Sequence, residues 1–289
     1  MVPAGGDPEG TAAAGEALSA DRRRRVLIAT AIVLLGGAAV TGVGLWRPGL
    51  LSSTAARLPR AAPVARVSVA APAVAPVVRI SLSERLPARL PVPGIPAGWH
   101  LKEFAGQADV ELLRDEMLAL RLRSRRASYV LYRDVSIDVR TYPWLSWAWK
   151  VVQLPSGGDV RTSGSNDQAA QLYVVFPRWP DPRQNSDVIG YVWDTTAPVD
   201  LHAANTQAAN VRVIVVASGP ARLGGWRRFE RNIAQDYVGL FGRQPPQAGK
   251  VAVMIDSDDT RSDAEALVAD IQLSRAPIER RESPTSMLR

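Results

Sequence analysis

The sequence predicts a mainly β protein: an antiparallel two-sheet β-sandwich of jelly-roll-like design, preceded by a single transmembrane helix. Three observations carry that expectation. The arginine run Arg22–Arg25 abuts an uncharged apolar stretch from Val26 to Leu45. From Ile80 onward, short apolar segments alternate with a period of two, as strands with one buried face do. The segments are separated by turn-forming clusters such as Pro155-Ser156-Gly157-Gly158-Asp159 and Trp179-Pro180-Asp181-Pro182, not by regularly alternating helices. That spacing suits stacked sheets better than βαβ units.

Residues 1–21 are small, polar and Gly/Pro-bearing with no apolar period, and are expected to form a disordered tail. Residues 22–48 are expected to be a membrane anchor. At about 1.5 Å rise per residue, the apolar run matches the thickness of a bilayer's hydrocarbon core. Trp46 and Arg47 stand where an interfacial aromatic and a charged stop belong. The run is longer than a signal-peptide core and ends in Gly-Leu-Trp-Arg-Pro, without a small-x-small cleavage site, so it reads as uncleaved. The arginines on its N-terminal side place the tail in the cytoplasm and the remainder across the inner membrane, in the periplasm or its equivalent. Residues 49–79 are Ala/Pro/Val-rich; Pro59, Pro63, Pro72 and Pro76 stop a helix, giving a semi-extended linker. Residues 80–276 are the β-sandwich domain, and 277–289 a disordered end.

Within the domain, Tyr129–Tyr132 and Val135–Val139 alternate as strands. Trp144–Val152 puts Leu145, Trp147, Trp149 and Val151 on one face and Ser146, Ala148 and Lys150 on the other, so Trp147 and Trp149 are expected in the core. Gln171–Phe176, Val188–Trp193, Val211–Ala217, Val251–Ile255 and Leu267–Leu273 continue the series. Two helical exceptions are expected. Trp226–Phe241 carries Phe229, Ile233, Tyr237 and Phe241 four residues apart, with Gly242 placed to close it. A turn or two is expected around Ser262–Ala266.

Composition narrows the chemistry. The formal charge of +7 comes from the linker and the ends, because residues 80–276 hold 23 Lys+Arg against 22 Asp+Glu. A nucleic-acid module would gather that charge on its folded surface, so nucleic acid is not an expected partner. The absence of cysteine excludes thiol nucleophiles, iron–sulfur clusters and thiolate zinc sites. His100 and His202 stand alone and are expected to be structural.

Two constellations remain. Asp256-Ser257-Asp258-Asp259-Thr260 follows a strand, with Asp270 on the next one. Adjacent carboxylates repel unless a cation or hydrogen-bond donors offset them, and calcium takes hard oxygen ligands. The spacing is not that of an EF-hand loop, so three readings stand: Asp256, Asp258, Asp259 and Asp270 hold a structural Ca2+, they cap the following turn, or they act as catalytic carboxylates. The second is Asn166-Asp167-Gln168-Ala169-Ala170-Gln171, leading into an apolar strand. With Trp144 and Trp179, which sit beside prolines in turns, Asn166, Asp167 and Gln171 form a candidate carbohydrate platform, since flat aromatics stack on sugar rings and polar neighbours orient them.

Five blocks, LSWAWKV (145–151), NDQAAQLYVVFP (166–177), IGYVW (189–193), GWRRFERNIAQDYVGLFG (225–242) and VAVMIDSDDT…DIQL (251–273), together resemble the bacterial domain-of-unknown-function family 3047. That family pattern has two acids before Gln-Ala-Ala, and here Asn166 stands in place of the first. The resemblance implies an envelope-associated jelly-roll-like sandwich similar to carbohydrate-binding modules and some polysaccharide lyases, with no established activity.

The expected function is therefore a membrane-anchored, extracytoplasmic, non-catalytic module that binds a glycan or similar polar envelope ligand. A rival is an accessory subunit docking on a larger membrane complex. A third, a polysaccharide-cleaving enzyme, would draw on Tyr173, Tyr191 and His202, which no spacing selects.

Overall fold

The structure, a computed structural model, describes residues 77–204 and 210–278. The anchor expected at 22–48, most of the linker, and the ends lie outside the described residues. Among those described, no helix is long and apolar enough to cross a membrane.

The chain runs β1 (Val77–Arg79), β2 (Val92–Pro93), β3 (His100–Ala105), β4 (Asp109–Asp115), β5 (Met117–Arg125), β6 (Ser128–Ile137), β7 (Trp144–Gln153), β8 (Ala170–Phe176), a one-turn helix α1 (Pro182–Asn185), β9 (Asp187–Asp194), β10 (His202–Ala204), β11 (Val211–Ser218), β12 (Arg227–Asn232), helix α2 (Ile233–Phe241), β13 (Ala248–Asp256) and β14 (Asp263–Ser274). Two seven-stranded sheets pack face to face. The first has the order β12-β7-β14-β5-β4-β2, with β1 also on β14; the second is β10-β11-β9-β8-β13-β6-β3. The sandwich is thus mainly β and jelly-roll-like, but not wholly antiparallel. β9 and β11 pair in parallel, because the chain passes through β10 on the outer edge before returning as β11. The first sheet also takes in Val77–Arg79, from the stretch read as linker.

The core between the sheets follows the expected alternation. Leu145, Trp147, Trp149 and Val151 of β7 are buried. Trp147 stacks on Phe229 at 5.5 Å between centroids and meets Tyr191 at 5.1 Å, while Trp149 packs on both Trp147 and Phe229. Each fully buried side chain of this size contributes about 1.5–3 kcal/mol through apolar burial alone. The outward faces are also partly covered. Ala148, Leu113, Ala119, Leu267 and Ala269 lie under Trp226, whose indole N–H donates to the Asp115 carbonyl at 3.0 Å.

Both helical expectations need correction. Only Ile233–Phe241 of the stretch 226–241 is helical; Arg227–Asn232 is an edge strand paired along β7. Phe229 shares the four-residue spacing, yet it reaches the core by strand alternation. The switch falls at Asn232, whose side chain accepts the Gln235 N–H at 3.0 Å as an N-cap. Gly242 closes the helix at φ 67°, as expected. Residues 263–266 are the start of β14, not a helical turn, because Ala264 and Ala266 face the core in alternation.

Candidate functional site

The two ends of the sandwich carry different chemistry. One end gathers the loop between β7 and β8, the end of β9, and the turn between β13 and β14. The strand β8 begins here, and its backbone pairing sets Gln171 opposite Met254. As a result Asn166-Asp167-Gln168 and Asp256-Ser257-Asp258, separate in the sequence, form one cluster. A carboxylate oxygen from each of Asp167, Asp256 and Asp258 lies within 4.8 Å of the other two. Asp167 is fully buried and accepts the backbone N–H groups of Asp259 (3.3 Å) and Thr260 (2.6 Å). The Asp256 N–H is taken by the Gln168 carbonyl at 3.1 Å. Asp256 is 5 % exposed, and among the described residues its Oδ1 meets no hydrogen-bond donor. Burial raises its carboxyl well above the ordinary range, and the neighbouring Asp258 and Asp167 carboxylates add to that.

A buried acid next to these ties the loops down. Asp194 accepts from the backbone of Val160 (2.9 Å) and, through its other oxygen, Thr196 (2.8 Å) and Ala197 (2.7 Å). Gln168 donates to Asn166 at 3.2 Å and toward Asp194 at 3.4 Å. Gln171, 2 % exposed, donates to the Gln168 carbonyl and accepts the Tyr173 hydroxyl at 2.6 Å. The Tyr173 ring crosses Gly190 on the neighbouring strand, where a Cβ would stand 2.4 Å from it.

The other end is closed by α2, which hangs from the Pro143 carbonyl through the Ile233 N–H at 2.8 Å. Its Tyr237 hydroxyl donates to the buried Asp187, the first residue of β9. Arg243 donates to both oxygens of Asp187 at 2.8 and 2.6 Å, and Arg178 stands 3.5 Å from it. Asp236, on the same helix, takes the Tyr191 hydroxyl at 2.8 Å and both arms of Arg231. Beside Arg178, Trp179 is 71 % exposed. The loop that carries it is fixed by the Asn185 N–H to the Asp181 carbonyl (2.9 Å), by Ser186 to the Pro182 carbonyl, and by Asn210 to the Ser186 carbonyl (2.5 Å).

The residues picked from the sequence therefore divide. Asn166, Asp167 and Gln171 lie at the acidic end, and Trp144 and Trp179 at the helix end, with the whole of β8 (about 20 Å at strand rise) between them. They do not make one platform. Asp167 and Gln171 are buried with their polar atoms turned into the loop network, whereas Trp144 is half-buried at the start of β7, between Asn232 and Ser274. Among the four acids expected on a metal, Asp256 and Asp258 converge. Asp259 contributes its backbone N–H to Asp167, and its carboxylate is not one of the three that gather. Asp270 is not part of the cluster: it sits at a bulge in β14 with φ 49°, paired to Arg228 at 2.8 Å. Capping does occur here through Asp167, from a distant loop, which accepts the Asp259 and Thr260 N–H groups. Sequence reading missed Asp187 and Asp194, whose only signal was a lone acid at each end of an apolar strand.

The tyrosines named for a cleavage reaction are both buried. Desolvation raises the Tyr173 and Tyr191 phenols. His202 lies exposed on the short edge strand β10.

Residues 97–272 match a family described as "Protein of unknown function (DUF3047)". No curated protein matches the chain. Among solved structures, the chain is similar to the Family 11 carbohydrate-binding module from Clostridium thermocellum in complex with a β-1,3-1,4-mixed-linked tetrasaccharide, at 9 % identity and TM-score 0.37, covering 70 % of this chain and 98 % of that one. It is similar to a Family 30 carbohydrate-binding module at 10 % identity and TM-score 0.40, over 72 % and 92 %. A third is the xyloglucanase domain of NopAA from Sinorhizobium fredii, at 7 % identity and TM-score 0.37, over 64 % and 95 %.

Proposed function

The chain belongs to this family, and we propose that its β-sandwich is a non-catalytic binding module for a glycan or similar hydroxyl-rich envelope ligand, met at the end that α2 closes. The observation that carries the reading is Trp179. A large aromatic left 71 % exposed on a loop braced by its own hydrogen bonds is a plate held ready for stacking. Its sequence neighbours are Arg178 and Pro180, with Asp181 beyond. A sugar ring, with a flat C–H face and hydroxyl edges, suits an indole on a rigid loop with polar groups beside it. A protein hot spot surrounds its aromatic with further apolar contact. Trp144, half-buried at the same end, is the second ligand-side residue of the proposal.

The tether is part of the same proposal. The arginine run and apolar stretch of 22–48 anchor the chain in the inner membrane with its sandwich on the periplasmic side. Fluorescence titration of the full-length protein in detergent micelles, against a panel of neutral and acidic oligosaccharides, tests the reading. Saturable quenching lost in Trp179→Ala supports it. Absence of any saccharide response, together with stoichiometric protein subunits after mild-detergent purification, favours the accessory-subunit role instead.

A further inference from the structure

We propose that Asp167, Asp256 and Asp258 form a divalent-cation site, occupied by calcium, which clamps the β7–β8 loop to the β13–β14 turn. The three carboxylates come from two connections remote in sequence, and one oxygen of each lies within 4.8 Å of the others. Two oxygens that share a calcium at about 2.3–2.6 Å can stand no more than about 5 Å apart, and all three pairs meet that limit. A second, independent observation points to a ligand. Asp256 is 95 % buried by its 5 % exposure, and its Oδ1 has no hydrogen-bond donor among the described residues. Native proteins rarely leave a buried carboxylate oxygen without a partner.

The donor set selects the metal class. All three ligands are oxygen, with no sulfur in the chain's side chains beyond methionine and no imidazole in the group, which favours hard cations over zinc or copper. Asp167 is already aimed: its oxygens are held by the Asp259 and Thr260 N–H groups, which leaves each a free lone pair to turn toward the cation. The other side of the site is stiffened by Ser257, whose hydroxyl is 2.6 Å from that of Ser124. The ion so placed braces the sandwich end opposite Trp179. The inference therefore stands apart from the ligand reading and fails separately from it.

The test uses the full-length protein in detergent with calcium alone as probe. Metal analysis of protein purified without chelator is expected to find one calcium per chain. At calcium about 100-fold above its dissociation constant, the melting temperature is expected to lie about 5–10 °C above that in chelator. Asp258→Asn should abolish the shift. Asp256→Asn, nearly isosteric, should also lose it, yet melt in chelator at or above the parent, because a neutral amide replaces a buried acid crowded by two other carboxylates. Equal melting temperatures in calcium and chelator with no bound metal would overturn the proposal. So would an equal loss of stability for both variants in the two buffers, which would leave the acids as turn caps only.

Discussion

Asp167 and Asp256 reach the same end of the sandwich from unrelated segments, one in the β7–β8 loop and one as the last residue of β13, and bring carboxylate oxygens within 4.8 Å of each other. The β8–β13 ladder sets up that meeting: Gln171 lies opposite Met254, and just beyond it the Asp256 N–H donates to the Gln168 carbonyl. Order at this end is held by backbone N–H groups bound to buried acids, and that arrangement yields a direct test.

Replacing Asp194 by Ala should destabilise the fold by about 2–4 kcal/mol, because the N–H groups of Val160, Thr196 and Ala197 would lose their buried acceptor together. Urea denaturation of the full-length protein measures this. Asp194→Asn should recover part of the loss, since its amide oxygen still accepts.

Gly190→Ala should cost about 1–3 kcal/mol, the usual range for overpacking a filled site. The new methyl would meet the Tyr173 ring 2.4 Å away. Moving that ring breaks its hydroxyl bond to Gln171, so the same variant should loosen the loop at 159–168. Faster hydrogen exchange there is the expected accompaniment.

Alkaline stability follows from the tyrosines. Burial, with the Asp187 carboxylate beside it, pushes the Tyr237 phenol up from 10.0 to about 12. Between those values the unfolded chain has lost a proton that the folded chain keeps. The stabilisation is complete below pH 10 and is lost as pH rises toward 12. Urea melts across this window should show stability falling, less steeply in Tyr237→Phe. Tyr129, Tyr173 and Tyr191 are raised further by burial, so their phenolate absorbance should appear only with unfolding.

Asp270→Asn should change stability by less than about 0.5 kcal/mol, since it removes only an exposed pair with Arg228. It should also leave any calcium response intact. A lost response would return Asp270 to the ligand set.

The cysteine-free chain permits a topology test. A single Ser163→Cys, in the exposed loop before Asn166, should react with a membrane-impermeant maleimide in intact spheroplasts. Labelling that requires lysis would contradict a periplasmic domain.

The sandwich was legible in the sequence because alternation survives wherever one strand face is buried, and Leu145, Trp147, Trp149 and Val151 show this most plainly. Alternation says less about which strands pair, so the parallel β9–β11 contact was invisible. Four-residue spacing misled at Phe229, because residues four apart share a face in a strand as well as in a helix. The acids of the site were visible one by one, but their grouping depended on long-range register. Asp270 looked eligible on the neighbouring strand, until a bulge turned it outward to Arg228. Trp179 was the surface residue its proline neighbours suggested. Its separation from Asn166 and Gln171 could be read only once β8 was known to run the length of the sandwich between them.

The most direct test of the binding reading is an oligosaccharide fluorescence titration of the full-length protein beside Trp179→Ala. The account predicts saturable binding that weakens at least about 30-fold in the variant, with an unchanged melting temperature, as expected for losing a hot-spot aromatic that supports no core. A variant that binds as tightly as the parent would remove Trp179, and with it the helix-closed end, from the ligand site.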